Sequence, residues 1–173
     1  MIAQYLQDNF VVELQEIFEK ETFKTPDGER GRLNVYAQEL PIQVAKEEKE
    51  CNEQMMEEGL NLPDIEQEDP YPYIIVQVKE GEIEEINGEQ NVVVNLLIGI
   101  YDENFENQGH RDVLHIIQKI YERFAKNPIL AKKYECAMPF SWALQDEESY
   151  PYYFGGIEMN FKTVPIRRED RWA

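Results

Sequence analysis

The chain has 173 residues and a formal charge of −18, with seventeen Lys and Arg against thirty-five Asp and Glu. This length suits one domain with a real core, and a hydrophobic content of 42% excludes a wholly disordered chain. The negative charge disfavours non-specific binding to nucleic acid or to an anionic membrane. Two cysteines make no disulfide framework, no apolar run reaches the ~20 residues of a membrane span, and no signal peptide is evident. A reduced, cytoplasmic protein is expected.

The first element is predicted to be an amphipathic helix over residues 2–23. Its large apolar side chains recur at steps of three and four, which puts them on one face: Leu6, Phe10, Leu14, Ile17 and Phe18. The sequence Thr25-Pro26-Asp27-Gly28 has turn chemistry and is expected to end this helix. A strand is expected over residues 33–40, which Pro41 ends.

The acidic residues are unevenly distributed along the chain. Residues 46–90 hold fifteen Asp or Glu and three Lys, a net −12 out of −18. Like charges at Glu47, Glu50, Glu53 and Glu57 disfavour a helix there. We therefore expect a solvated, irregular, acidic insertion over about residues 45–72. The alternative is an acidic surface that meets a basic partner.

Regular β-structure is predicted from Tyr73 onwards. Residues 73–78 are apolar and β-branched, as in a buried strand. Asn87-Gly88 is a two-residue hairpin signal, because both positions of such a turn need a positive φ. It is expected to join a short arm, residues 82–86, to a long arm, residues 89–101. The long arm is apolar on both faces, which predicts partial cover of each: Val92, Val94, Leu96, Ile98 and Ile100 on one, Val93, Leu97 and Tyr101 on the other.

The second helix is predicted from Asn107 or Gln108 to Ala125, and Asn127-Pro128 ends it. Asp112 near its start and Arg123 near its end suit the helix dipole. A continuous apolar stripe is formed by Val113, Ile116, Ile117, Ile120, Tyr121 and Phe124. The opposite, wet face carries Arg111, His115, Gln118 and Glu122.

Two further strands are predicted in the last third of the chain. Residues 134–144 alternate strictly, and Pro139 on the polar parity predicts an edge position or a bulge. Residues 153–164 form the final strand, in which Gly155-Gly156 is expected to mark a bulge. The apolar parity is occupied by Tyr134, Cys136, Met138, Phe140, Trp142 and Leu144 in the first strand and by Ile157, Met159, Phe161 and Thr163 in the second.

The order of elements predicts the fold class α+β. We expect a mostly antiparallel sheet of four to six strands with two amphipathic helices packed on one face. The whole chain, residues 1–173, is expected to form a single domain that carries the acidic insertion.

Few residues suggest catalysis or metal binding. His110 and His115 are five residues apart on a helix, which turns them about 140° away from each other, so they cannot share one ion. Cys51 and Cys136 form no Cys-x-x-Cys pair. Asp102-Glu103 follows a buried strand and remains a candidate Mg²⁺ site of a hydrolase, with a solvated turn as the alternative. The sequence therefore predicts no enzyme, no metal and no cofactor.

Tyrosines gather beside prolines at the starts of two strands. A tyrosine supplies a large, rigid contact area with a polar tip, which suits a protein–protein contact, although ordinary packing at sheet ends is the alternative. A small basic tail ends the chain. The candidate assembly interface therefore consists of Tyr71, Tyr73, Tyr150, Tyr152, Tyr153, Arg167, Arg168 and Arg171.

Several stretches resemble proteins of long-tailed bacteriophages. Tyr-Ile-Ile-Val-Gln-Val at residues 73–78, the β-rich residues 92–102 and Gln-Gly-His-Arg-Asp-Val-Leu at residues 108–114 resemble tail-terminator and tail-completion proteins. Residues 150–161, with Arg-Arg-Glu-Asp at residues 167–170, are similar to small tail proteins encoded in prophages of Gram-positive bacteria. The resemblance covers about residues 70–170, and no catalytic residue anchors it.

The resemblance implies a small α+β subunit that closes into a ring, often a hexamer, at the head-proximal end of the tail tube. Such a ring stops tube polymerisation and offers a docking surface to the head. The implied partners are copies of the chain itself, the major tail tube protein and the head connector protein, with no membrane and no specific nucleic acid. The implied location is the bacterial host cytoplasm during assembly and then the virion tail.

A ring of identical subunits uses head-to-tail contacts, so each subunit needs two different, matching patches. The acidic segment is a candidate for one patch. The C-terminal arginines, or Lys119, Arg123 and Lys126 of the second helix, are candidates for the other. A function of another class is an acidic DNA mimic or inhibitor that occupies the basic groove of a host enzyme, which requires carboxylates on a rigid face.

Overall fold

The structure of the chain is a computed structural model that describes residues 2–42 and 69–166. The acidic insertion expected over residues 45–72 lies outside the described residues except for its last four. Two helices and eight strands make up the described part: α1 Ile2–Ile17, β1 Phe23–Lys24, β2 Arg30–Gly31, β3 Asn34–Ala37, β4 Tyr73–Ile83, β5 Gln90–Tyr101, α2 His110–Lys126, β6 Ile129–Leu130, β7 Tyr134–Leu144 and β8 Tyr152–Thr163.

Six strands form one mixed sheet in the order β3-β4-β5-β8-β7-β6, and β1 and β2 form a separate pair. β3 runs parallel to β4, from Asn34 opposite Tyr73 to Ala37 opposite Val76. All other neighbours in the described sheet run antiparallel. A parallel pair requires a long connection between its strands, and 35 residues of the sequence separate Ala37 from Tyr73. The predicted sheet of four to six mostly antiparallel strands is confirmed.

Both helices pack on the same face of the sheet, which confirms the predicted α+β arrangement. Phe10 of α1, Phe124 of α2 and Phe161 of β8 meet edge to face, with ring centroids 5.3–5.7 Å apart. Every second side chain of β5 enters this core and is at most 1% exposed: Val92, Val94, Leu96, Ile98 and Ile100. We call the opposite face, which neither helix covers, the outer face of the sheet.

Helix α1 ends at Ile17, so the prediction that it reaches residue 23 was wrong. The amides of Glu19 and Glu21 bond to carbonyls three residues earlier, which tightens the last turn before the chain leaves the helix axis. Phe23 then enters β1, where it is buried and packs on Phe18 with ring centroids 6.4 Å apart. The turn at residues 25–28 exists, but it joins β1 to β2 and does not end the helix.

β4 combines the predicted strand 73–78 with only the first two residues, 82 and 83, of the predicted short arm, and it has a bulge between Val78 and Glu80. The hairpin to β5 is confirmed, but its connection spans residues 84–89 and is not the predicted two-residue turn. Asn87 has a φ of 65°, whereas Gly88 has no positive φ, and its amide donates to the Glu85 carbonyl at 2.9 Å. In the observed register the next pair would place Glu84 opposite Glu89, and like charges directly opposite each other destabilise a ladder.

β7 departs from the strict alternation expected from the sequence. Its register with β8 shifts between Ala137 and Ser141, which confirms the bulge predicted at Pro139. Met138 is 70% exposed and Trp142 is 54% exposed, so the apolar parity does not form one buried face. The described part of β6 pairs with Tyr134 and its neighbour alone, so most of β7 lies at the edge of the sheet.

Gly155-Gly156 marks no bulge, so that prediction was also wrong. Both residues keep continuous register with β5, opposite Ile98 and Leu97. A Cβ on Gly155 would lie 2.5 Å from Cγ1 of Val113 in α2. This glycine therefore serves the close approach of a helix to the sheet.

Helix α2 matches its predicted range within a few residues, and its predicted wet face is exposed. Tyr121 is the exception in the apolar stripe, because it is 42% exposed and lies against Phe140 with ring centroids 5.3 Å apart. Arg123 donates to Glu13 of α1 and to the carbonyls of Asn127 and Ile129, which satisfies acceptors beyond the helix end. In the described part of the chain, no helix is long and apolar enough to span a membrane.

Candidate functional site

Five aromatic side chains pack together on the outer face at one end of the sheet: Tyr71, Tyr73, Tyr101, Tyr152 and Phe154. We call them the aromatic cluster. The Tyr71 ring lies at its centre, with centroid distances of 5.1 Å to Tyr73, 4.7 Å to Tyr152 and 6.2 Å to Phe154. The Tyr101 ring lies 5.7 Å from Tyr152. The structure thus brings together three of the predicted interface tyrosines and adds two residues to them.

Strand register assembles this cluster. Tyr73, Gly99 and Phe154 lie directly opposite one another on β4, β5 and β8, and Tyr101 lies opposite Tyr152. Directly opposite residues of antiparallel strands share a face and touch. The Tyr73 ring covers Gly99, where a Cβ would lie 2.4 Å from the ring carbon Cζ.

The segment before β4 is anchored by β3. The backbone amide of Asn34 donates to the Pro72 carbonyl at 3.0 Å, and its side-chain amide donates to the Pro70 carbonyl at 3.2 Å. Burial raises the pKa of Tyr71, and the neighbouring phenols raise it further. Tyr71 therefore stays neutral at physiological pH and offers a contact area with a polar tip, not a base.

Tyr150 and Tyr153, the other two predicted interface tyrosines, lie beside the aromatic cluster. Tyr153 points to the helix face, where its ring covers Gly109 and its hydroxyl donates to Asn107. The Tyr150 hydroxyl donates to the Glu103 carbonyl, and its ring stacks on Phe105 at 6.5 Å. A groove of about 360 Å³ runs between these tyrosines and residues 145–149, with Asn107 and His110 in its other wall.

An apolar row continues the aromatic cluster across the outer face. Opposite one another on five adjacent strands lie Tyr36, Ile75, Leu97, Gly156 and Ala143. Leu97 is 37% exposed. The small side chains beside it leave a shallow groove of about 300 Å³, with Trp142 at its margin. A surface of this kind accepts apolar side chains from a partner.

The candidate carboxylate pair is occupied by structural contacts. Asp102 is 7% exposed, and its Oδ1 accepts from Lys24 Nζ at 2.8 Å and from the Asn104 amide at 3.0 Å. Glu103 accepts from the Tyr101 hydroxyl at 3.1 Å. Among residues 2–42 and 69–166, no group of three or more His, Cys, Asp or Glu is placed to hold a metal ion. Asp102 stabilises a loop and neutralises a lysine.

The remaining candidates for chemistry also have structural environments. His115 Nε2 lies 3.1 Å from a carboxylate oxygen of Glu21, and His110 lines the groove beside Tyr153. Burial raises the pKa of the Cys136 thiol to about 11, so the thiolate needed for nucleophilic attack is scarce at neutral pH. Cys51 lies outside the described residues.

The predicted basic half of the interface, Arg167, Arg168 and Arg171, lies outside the described residues. The chain leaves β8 at Thr163, at the opposite end of the sheet from Tyr152. Eleven steps along a strand span roughly 37 Å. The aromatic cluster and the last described residues therefore lie at opposite ends of the sheet.

Sequence reasoning missed Tyr101 and Leu97 as members of the surface. The sequence did contain a signal in β5, because this strand carries apolar side chains on the outer face as well as on the core face. Which residues of the neighbouring strands lie beside them depends on the strand register.

Comparison with known proteins identifies no relative, because no protein-family model matches the sequence and no curated protein shows significant similarity to it. The functional proposal therefore depends on the residues and geometry of this chain.

Proposed function

We propose that this protein is a structural subunit of a bacteriophage tail, a tail terminator or head–tail joining protein that caps the tail tube by assembling into a ring. The observation that carries the proposal is the outer face of the sheet. Neither helix covers it, and it presents the aromatic cluster and the apolar row around Leu97. Leu97 is 37% exposed there, and Trp142 at its margin is 54% exposed, whereas Tyr73 and Ile75 are already buried by this chain. Exposed apolar side chains gathered on one face are typical of a surface that another protein covers.

The roles of the titratable residues support a structural protein. Asp102 holds a loop, His115 pairs with Glu21, and burial keeps the Cys136 thiol protonated. The resemblance to tail-terminator proteins supplies the biological setting. The charge of −18 suits the wall of a channel through which DNA slides without adhering.

Tail-tube assembly in vitro tests this proposal. The cognate major tail tube protein is polymerised with and without the protein, and tube lengths are measured by electron microscopy. We expect shorter tubes that carry a ring at one end. Leu97→Lys, which places a charge on the apolar row, is expected to weaken capping at least tenfold. Val12→Lys, on a 51% exposed position of α1, is the matched control. Unchanged tube lengths and no bound ring with the unmodified protein would contradict the proposal.

An acidic inhibitor of a host enzyme is the second candidate, because part of the acidic charge lies on a regular hairpin. Exposed carboxylates line the β4–β5 hairpin at Glu80, Glu82, Glu84, Glu85 and Glu89. Capture from host lysate distinguishes the candidates. Recovery of a nuclease or polymerase that DNA displaces would favour the inhibitor, whereas recovery of tail proteins would favour the tail subunit.

A further inference from the structure

The two edges of the six-stranded sheet carry opposite charge at the same end of the molecule. We propose that these two edges bind each other between neighbouring copies of this chain. The inference rests on the proposed ring function and names the surfaces that join one subunit to the next.

The first edge is formed by the second half of β4, residues 79–83, and by the hairpin that follows it. β3 pairs with β4 as far as Val76, and the Gln38 side chain then accepts from the Val78 amide at 3.1 Å. No strand in the described part of the chain pairs with the free side of residues 79–83. We define the acidic patch as Glu80, Glu82, Glu84, Glu85 and Glu89 with the exposed apolar residues Ile83 and Ile86, which are 58% and 85% exposed.

The second edge is formed by the end of α2 and the β6–β7 turn. We define the basic patch as Lys126, Lys132 and Lys133 with the exposed apolar residues Ile129 and Met138, which are 38% and 70% exposed. The turn contains no glycine, yet Ala131 and Lys132 both adopt positive φ, at 51° and 61°. The fold therefore presents a lysine at a position where glycine or asparagine is the usual choice.

Within residues 2–42 and 69–166, these charges have no ion-pair partners. None of the patch glutamates and none of the patch lysines forms an ion pair with another described residue. By contrast, two cationic side chains of α2 that face the α1 region are paired. Lys119 forms an ion pair with Glu21, and Arg123 forms one with Glu13. The acidic patch therefore offers unpaired negative charge, and the three lysines give the basic patch a net positive charge beside the exposed Glu135, which lies opposite Ile129.

The positions of the patches suit a ring. Gln90 of β5 lies opposite Thr163, and Glu135 of β7 lies opposite Lys162, so the hairpin and the β6–β7 turn flank the same end of β8. Four strand spacings separate β4 from β6, roughly 19 Å, which is too far for ion pairs within one subunit. In a ring whose axis runs parallel to the strands, the rotation from one copy to the next keeps each patch at the same level along that axis. The acidic patch of one copy therefore meets the basic patch of the next.

The two kinds of side chain have different tasks in this contact. Exposed ion pairs contribute little affinity but select the partner and the orientation, while buried apolar area contributes affinity. Ile83 and Ile86 of one copy are expected to lie against Ile129 and Met138 of the next, with the charges around them.

Charge exchange tests the contact. One variant carries Glu82→Lys, Glu84→Lys and Glu85→Lys, and the other carries Lys126→Glu, Lys132→Glu and Lys133→Glu; all six positions are exposed, and circular dichroism checks folding. Molar mass is measured by light scattering over a concentration range in about 0.1 M salt, where the Debye length of ~10 Å screens the long-range repulsion between acidic subunits. We expect the unmodified protein to associate and each variant to associate at least tenfold more weakly.

An equal mixture of the two variants is expected to associate again, because each acidic edge then meets a basic edge. A single chain with both exchanges is expected to self-associate as well. The matched control for the glutamate variant, Asp27→Lys with Asp146→Lys and Glu147→Lys, makes the same change of net charge at exposed sites outside the patches, and it is expected to shift association less than twofold. A mixture no larger than its components, or an unmodified protein that stays monomeric throughout, would overturn the inference.

The outcomes also separate this inference from the proposed function. Rings that form regardless of the exchanges would refute the edge contact and leave the ring function standing. Exchanges that behave as expected, in assemblies that neither close nor shorten tail tubes, would establish the contact and refute the tail function.

Discussion

At Gly155 the absence of a side chain positions a helix. The sequence shows two adjacent glycines in a strand, a pattern that commonly marks a bulge. The structure keeps the ladder regular and places Val113 of α2 directly above Gly155. The helix determines the need for glycine here, and no local pattern reveals which residue of a distant helix will lie above a strand.

Gly155→Ala tests this account. The new Cβ would lie 2.5 Å from Val113 Cγ1, so we expect a loss of about 1–3 kcal/mol in the free energy of unfolding. Gly156→Ala is the matched control, because its nearest neighbour would be 3.6 Å away, and a change under about 0.5 kcal/mol is expected. Urea denaturation measures both. Equal destabilisation by the two variants would contradict the packing argument, whereas partial recovery on adding Val113→Ala would support it.

The tyrosines show how far residue-level prediction reaches. Tyr71, Tyr73 and Tyr152 are suggested by their position beside prolines at strand starts, and they meet in the structure. Tyr101 lies far from them in the chain, and its place depends on the register between β5 and β8. Arg167, Arg168 and Arg171 remain a prediction.

The short β6–β7 connection shows a local conformation that its sequence does not favour. Ala131 and Lys132 occupy the left-handed region, and the Lys133 amide donates to the Leu130 carbonyl at 3.1 Å to close the turn. A residue with a Cβ costs roughly 1–2 kcal/mol there. The flanking strands impose this geometry, which the local sequence does not indicate.

Ala131→Asn is expected to stabilise the protein by about 0.5–1 kcal/mol, since asparagine tolerates the left-handed region better than alanine. Lys132 is unchanged in this variant, so the charge of the basic patch is preserved. Thermal unfolding measures the effect. Ala143→Asn, at an exposed extended position of β7, is the control and should lower the melting temperature, because asparagine is unfavourable in strands. A decrease for Ala131→Asn would show that the turn is not strained.

At the level of whole elements, α2 was predicted in both its range and its buried face, whereas β7 was predicted in its range, residues 134–144, but not in its burial. Helix α2 has a long 3.6-residue period, and its apolar stripe is buried except for Tyr121. The alternation of β7 predicts a strand correctly, but its edge position exposes Met138 and Trp142. Periodicity reports which side chains share a face, whereas burial depends on what covers that face.

At the scale of the whole molecule, polar contacts join the α1 region to α2 beside the apolar core. Glu21, just beyond α1, accepts from Lys119 Nζ at 2.6 Å and lies 3.1 Å from His115 Nε2. Burial acts against its charge, but these hydrogen bonds outweigh that effect and lower the pKa of Glu21 below 4.5. Its stabilising contribution is therefore fully present above pH 4.5 and is lost as the pH falls through the lowered value.

Glu21→Gln is expected to reduce the free energy of unfolding by about 1 kcal/mol at pH 7, since the pair is partly exposed. The difference from the unmodified protein should shrink as the pH falls well below 4.5, because the Glu21 carboxyl is then protonated and is uncharged like the glutamine that replaces it. Urea denaturation at pH 7 and pH 3 measures it. Glu19→Gln, an exposed neighbour, is the control and should have little effect at either pH. A difference that persists at pH 3 would contradict the electrostatic explanation.

The sequence by itself determined the α+β class, both helices and the core face of β5, because periodicity and turn chemistry are local properties that survive without knowledge of the partners. The tertiary structure decided the parallel pairing of β3, the assembly of the aromatic cluster and the location of opposite charges at one end of the sheet. Strand order and register bring together residues far apart in the chain, and no local pattern encodes which strand will lie beside which.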